Sequence, residues 1–296
     1  MENRATLAQW IEGARPRTLS TAVSPVLIGT GAAIGTGIIA PGRALLALLV
    51  AVAFVIGVNF ANDYSDGIRG TDDDRVGPLR LVGSKLAAPV AVRVAAAVSL
   101  SVAALAGLTL VSLSRQWWLI GMGAACLAGA WYYTGGKRPY GYAGLGEVAV
   151  FIFFGPVAVL GTVLTQSGPP GPLAVIGAVG VGMLACALLV ANNLRDIPTD
   201  TVAGKRTLAV LLGDADTRRL YAALVLTPFL LSAVAGLRSW PMLLGLLAVP
   251  LAVTPVRRVL GGASGRRLIR VLGATGMLLL VWSAATGLGL ALGPVA

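Results

Sequence analysis

Nine apolar stretches divide this chain, and its charged residues fall almost wholly into alternate gaps between them. The stretches run over roughly 19–38, 44–62, 88–111, 117–133, 147–166, 173–193, 221–237, 241–256 and 271–292. Crossing ~30 Å of hydrocarbon as a helix takes about 20 apolar residues. Each stretch is therefore expected to be a transmembrane helix, the fourth and eighth being short. Sorted by gap, 20 of the 23 Lys and Arg lie on one side of the membrane, leaving only Arg43, Arg115 and Arg238 on the other. The cytoplasmic side carries the excess of basic residues. Nine spans with this asymmetry predict an all-α integral membrane protein with its N-terminus in the cytoplasm and its C-terminus outside, in a bacterial plasma membrane.

Composition supports the same class. Hydrophobic residues make up 56% of the 296 and charged residues 12%, against about 25% charged in soluble domains. Disordered, collagenous and disulfide-rich chains are excluded on these figures. The absence of histidine removes His-ligated zinc and haem and Ser–His triads. Cys126 and Cys186 stand alone in apolar runs and read as packing residues. Excess positive charge on a membrane chain points to cytoplasmic loops and anionic phospholipid, and nucleic acid is a poor match. Arg15 and Arg17 interrupt the N-terminus before the first apolar stretch, so no signal peptide is expected. Pro25, Pro156, Pro228 and Pro250 are expected kinks, and Gly31–Gly35 has the spacing of close helix packing.

All 12 acids fall on the basic side, which topology rules do not require. Most gather in two clusters, residues 59–75 and 192–207, each beginning where an even-numbered span ends. Each contains Asn-x-x-x-Asp: Asn62 to Asp66, and Asn192 to Asp196. A spacing of four puts both side chains on one helical face. Asp200 extends that face only if the helix passes Pro198, and proline disfavours helix in the residue before it. One Asp-rich helix end commonly is a solvated cap. Two at corresponding positions are better explained by a shared ligand. Carboxylates near lipid cost up to about 2.5–3.5 kcal/mol each, and a divalent cation relieves both that cost and their repulsion. All-oxygen donors favour Mg²⁺, which uses one or two carboxylates and completes its shell with water and phosphate. Two such clusters beside Arg and Lys suggest a metal-bridged diphosphate. Asp73 and Asp74 are expected to be solvated.

At these residues the chain resembles the UbiA superfamily of intramembrane aromatic prenyltransferases, most closely its 1,4-dihydroxy-2-naphthoate branch. The resemblance runs through Ala14-Arg-Pro-Arg-Thr-Leu19, Asn62-Asp63-Tyr-Ser-Asp66-Gly, and Arg75-Val-Gly-Pro-Leu-Arg80. It continues in Tyr133-Thr-Gly-Gly-Lys-Arg-Pro139, Gly144-Leu-Gly-Glu147, Asn192 to Asp200, and Gly204-Lys-Arg-Thr-Leu208. It implies one domain over 1–296, with nine helices around a central cavity capped by cytoplasmic loops. The family's first motif, Asn-x-x-x-Asp-x-x-x-Asp, is matched at Asn62 and Asp66, but Gly70 takes its third place, as in the naphthoate branch. Asp63 or Asp72 is then the candidate for the missing carboxylate. The second motif matches in full.

What the resemblance implies is transfer of a polyprenyl group from its diphosphate to 1,4-dihydroxy-2-naphthoate, with loss of CO₂ and diphosphate, in menaquinone biosynthesis. Asp63, Asp66, Asp72, Asp196 and Asp200 are the candidate Mg²⁺ ligands. Lys205, Arg206, Arg69 and Arg80, with Asn62 and Asn192, are candidates for the diphosphate. Arg17, Lys137, Tyr64, Tyr133 and Tyr140 are candidates for the acceptor site. The prenyl tail should leave between helices into lipid. Other aromatic acceptors, such as 4-hydroxybenzoate or homogentisate, are alternatives within the class. A secondary transporter built from two halves is the alternative outside it, although transporter sites lie near the midplane. Neither chain length nor oligomeric state has a signature here.

Overall fold

A computed structural model describes residues 5–70 and 79–293. Asp72, Asp73, Asp74 and Arg75 lie outside the described residues. The described chain is helical, in the order α1 (Leu7–Gly13), α2 (Ser20–Gly35), α3 (Pro41–Gly67), α4 (Pro89–Ser114) and α5 (Leu119–Tyr132), then α6 (Gly146–Ile152), α7 (Ala158–Gln166), α8 (Pro172–Val202), α9 (Leu208–Gly236), α10 (Val249–Leu260) and α11 (Arg266–Leu292). A π turn over Phe153–Val157 joins α6 to α7 and a 3-10 stretch over Trp240–Ala248 leads into α10. Helices α3, α8, α9 and α11 run beyond the apolar stretches expected from the sequence, whereas α2 and α5 stop short of theirs. Seven helices are long and apolar enough to cross a membrane, and the bent pair Leu7–Thr18 with Ser20–Gly35 gives an eighth. The segment expected as a fourth span is the 14-residue α5, so the structure does not itself supply nine full-length spans.

Apolar side chains cover the outside of the bundle, including Leu105, Leu230, Leu247 and Leu288. In lipid such a surface costs nothing, and helices satisfy their own backbone groups. α8 is the central helix, with 67% of its apolar window buried against 28–44% for the other six long spans. Its glycines make this possible. A β-carbon on Gly180 would sit 2.2 Å from the Trp282 ring of α11, and one on Gly155 of the π turn would sit 2.7 Å from the Ala178 carbonyl. Gly31 of α2 packs on Gly287 of α11, where a β-carbon would fall 2.1 Å from the Gly287 oxygen. The main core lies among α2, α7, α8, α9, α10 and α11. On the other side of α8 the helices part and leave a cavity.

The expected kink at Pro156 is the π turn, and the wall it forms faces the cavity through Phe153 and Phe154. Pro198 does not end α8, which runs on to Val202. Leu194, whose carbonyl the proline leaves without its helical donor, belongs to the core, and packing holds the helix through the defect.

Candidate functional site

The cavity, about 1160 Å³, lies among α2–α8, with α1 and α11 also contributing to its wall. Along most of its length the lining is apolar, with Phe54, Leu108, Leu127 and Val157 among it. One end is polar and brings both motifs together: Asn62, Asp66, Asn192, Asp196 and Asp200 all line it, with Arg80 and Lys205. These acids are buried, Asp66 and Asp196 each at 4% exposure.

Asp66 is the hub. It lies at the C-terminal end of α3, where its Oδ2 meets Arg80 Nη2 at 3.3 Å and Lys205 Nζ at 3.6 Å, and its Oδ1 accepts a hydrogen bond from the Tyr142 hydroxyl. Lys205 is delivered by the way α8 ends. Gly204 takes φ +70°, the amide of Lys205 returns to the Asp200 carbonyl at 2.8 Å, and that of Gly204 to the Thr201 carbonyl at 3.2 Å. This pair of bonds is the Schellman termination, and it turns Lys205 back toward Asp66. The ammonium also sits 4.7 Å from the centroid of the Tyr142 ring, a cation–π distance.

Arg80 is delivered by Asp63. The Asp63 carboxylate accepts from the amides of Leu81 (2.6 Å) and Val82 (3.1 Å), which fixes the loop that carries Arg80 against α3. Both Asp63 oxygens are thereby engaged, and the residue does not line the cavity. The structure thus shows Asp63 anchoring this loop, outside the lining in which a metal ligand is expected. Asp72, the other candidate for the missing carboxylate, lies outside the described residues. Gly70 has φ +71° beyond the end of α3, a left-handed conformation that disfavours any residue with a β-carbon, so the motif's third position is off the helical face.

In the second motif, Asn192, Asp196 and Asp200 form one stripe on α8. Arg195, whose side chain is fully buried, bonds Asp196 through Nε–Oδ1 (2.6 Å) and Nη2–Oδ2 (2.7 Å), and Nη2 also donates to Asn192 Oδ1 at 2.8 Å. Asn193 lines the cavity and donates to the buried Glu147 at 2.9 Å. On the facing wall Thr134 donates to Asn62 Oδ1 at 2.8 Å.

Several expected contacts are elsewhere. The Arg69 guanidinium donates to the carbonyls of Thr134 and Gly136, capping the end of α5, and its side chain is not part of the lining. Arg206 and Lys137 are exposed and also outside the lining. Tyr64 stacks on Trp131 behind α3, ring centroids 6.4 Å apart. Arg17 does line the mouth, as do Tyr133 and Tyr140 farther in. The two tyrosine rings meet edge to face at 5.5 Å, and the Tyr140 hydroxyl donates to the Gly129 carbonyl at 2.7 Å. Burial, and then Cys126, pushes the Tyr140 phenol up from its ordinary 10.0 to about 12, so it stays a donor. Tyr142 escaped the sequence reading. Its only signal was the Pro139 that starts the 3-10 turn Tyr140–Ala143.

Among the described residues no three acidic or thiol groups form a ready-made metal cage. The donor set still suits Mg²⁺, which takes one or two carboxylates and draws its other oxygens from water and substrate phosphate. Three carboxylates and two carboxamides around one polar chamber satisfy that requirement.

Residues 22–280 match the model of the UbiA prenyltransferase family. The chain is 57% identical over 289 residues to the 1,4-dihydroxy-2-naphthoate octaprenyltransferase of Mycobacterium tuberculosis, covering 98% of this chain and 99% of that one. To the Escherichia coli protein of the same description it is 36% identical, covering 85% and 84%. The fold is shared with a solved UbiA homolog from Archaeoglobus fulgidus bound to GPP and Mg²⁺, at TM-score 0.64 and 13% identity over 94% of this chain and 99% of that one. With its helical bundle, its two Asn-x-x-x-Asp motifs meeting in one chamber, and a family match over most of its length, the chain belongs to the UbiA prenyltransferase family.

Proposed function

We propose that the protein transfers a polyprenyl group from polyprenyl diphosphate to 1,4-dihydroxy-2-naphthoate, releasing CO₂ and diphosphate and giving demethylmenaquinol for menaquinone biosynthesis. The observation that carries this reading is the likeness, end to end, to relatives of that description. The cavity agrees with it: a charged chamber suits a diphosphate and the long apolar barrel behind it suits a prenyl chain. Family membership sets the transporter alternative aside.

In this reading Asp66, Asp196 and Asp200, aided by Asn62 and Asn192, would hold Mg²⁺ beside the diphosphate. Bound there, the metal neutralises the negative charge that grows on the leaving diphosphate. Lys205 and Arg80 supply fixed positive charge to the same oxygens from a chamber with little water, where such charge acts strongly. The allylic C–O bond breaks and its electron pair leaves with the diphosphate. The Tyr133 and Tyr140 ring faces flank the resulting cation. The electron-rich naphthalene captures it at the carbon bearing the carboxylate, a new C–C bond forms, and the bond to CO₂ breaks to restore aromaticity. No strong general base is needed, which suits a chain without histidine. Arg17 at the mouth is placed to receive the acceptor's carboxylate.

The whole chain, 1–296, is read as one domain of nine crossings, with the bent pair as one and α5 as another. At 1.5 Å per residue α5 covers about 21 Å, and the exposed Trp117 and Trp118 before it suit the interface. The basic asymmetry of the gaps puts the polar chamber on the cytoplasmic side. Reconstituted protein given Mg²⁺, a polyprenyl diphosphate and a panel of aromatic acids tests the acceptor by mass spectrometry. A prenylated naphthoquinone as the main product supports the proposal, whereas prenylated 4-hydroxybenzoate or homogentisate in its place contradicts it.

A further inference from the structure

A second concavity, about 270 Å³, lies outside the bundle where α10 ends and α11 begins, lined by Arg257, Arg258, Gly261, Ala263, Arg267 and Arg270. All four arginines are exposed, and among the described residues none of their guanidinium groups has a hydrogen-bonding or ion-pairing partner. Arg267 and Arg270 are three apart on one face of α11, opposite the consecutive pair that closes α10. The floor is built. Buried Arg218 of α9 donates to the carbonyls of Val259 (2.6 Å) and Ala263 (2.9 Å), its own charge held by Asp214 at 2.6 Å. The nearby Asp216 is engaged by Arg219. Four uncompensated cations thus converge on one pocket whose backbone is pinned from beneath.

Ordinary topology needs basic residues near this end, but not a concavity with four of them facing in. The pocket also sits at a particular depth. It joins the ends of two membrane-crossing segments, Trp240–Leu260 and Arg266–Leu292, with the exposed apolar Leu260 and Val253 on the adjoining surface of α10. We infer that it is a binding site for the phosphate headgroup of an anionic phospholipid, the guanidinium groups taking the phosphate oxygens while the acyl chains lie along α10. It is separate from the prenyl-transfer chamber and has no part in the chemistry.

Delipidated full-length protein in detergent, titrated with phosphatidylglycerol and read by native mass spectrometry, tests this. One tightly held lipid per chain is expected, with phosphatidylcholine far weaker. Near an anionic surface each basic side chain is worth about fivefold in affinity, so Arg267→Gln/Arg270→Gln should weaken retention about thirtyfold. Arg257→Gln/Arg258→Gln from the opposite rim should match it. Arg138→Gln/Lys85→Gln, which removes equal charge elsewhere, should change retention little, and prenyl transfer in detergent should persist in all three. Equal loss in the control pair, or equal retention of phosphatidylcholine, would overturn the site. Displacement of the lipid by inorganic phosphate or diphosphate at equal concentration would overturn the lipid as its ligand.

Discussion

Lys205 Nζ lies 3.6 Å from Asp66 Oδ2, so a cation that follows the second Asn-x-x-x-Asp motif is held by the acid of the first. Arg80 reaches the same oxygen from a third segment at 3.3 Å. The two motifs are therefore one electrostatic unit, in which Asp66 poises two buried cations. In the proposed reaction a diphosphate would take the carboxylate's place as partner to Lys205 and Arg80, freeing Asp66 for Mg²⁺.

Asp66→Asn should lower prenyl transfer by about a hundredfold or more, and Lys205→Met by about 10²–10³-fold, the range for losing one preorganised charge contact. Combined, they should lose much less than the product of the two, because they act through one contact. Steady-state kinetics on the two single variants and the double variant give the coupling, and a double variant as poor as the product contradicts it.

Asp63→Ala tests the opposite kind of role. Two backbone amides lose a buried acceptor, which should cost about 1–3 kcal/mol each and appear as a lower melting temperature in detergent. The Mg²⁺ concentration for half-maximal activity should not move. A raised Mg²⁺ requirement at wild-type stability would return Asp63 to the metal.

Arg195 holds Asp196 and Asn192 through a planar guanidinium in two-point contact, which lysine cannot reproduce. Arg195→Lys should therefore raise the Mg²⁺ requirement by about 10–100-fold, the usual effect of removing a group that orients a metal ligand. A Mg²⁺ titration of activity checks it.

Much of this was legible in the sequence because lipid enforces simple rules. Apolar runs located the long helices, and the spacing of Asn192 and Asp196 predicted their shared face. What escaped depended on distant chain. Asp63 and Asp66 look alike in sequence, and only the loop at Leu81 and Val82 separates an anchor from a site residue. Arg69 was attractive as a cation beside the motif, yet the carbonyls at the end of α5 claim it. Pro198 was weighed by its local cost, while core packing around Leu194 decides the outcome.

The Tyr140 phenol, raised to about 12, is neutral in folded and unfolded chain alike below pH ~9. Any stability it contributes falls only as pH rises through the range between 10 and 12. Tyr140→Phe should thus change kcat/KM by the same factor at pH 6 and pH 9. A change in the shape of the pH profile over that range would contradict the assignment.

Decarboxylating transfer in one Mg²⁺-dependent chamber is tested with purified protein, a polyprenyl diphosphate and carboxyl-labelled 1,4-dihydroxy-2-naphthoate, counting labelled CO₂ against diphosphate. One CO₂ should appear per diphosphate, both abolished by EDTA and restored by Mg²⁺. Diphosphate release without labelled CO₂, or turnover indifferent to EDTA, would contradict it.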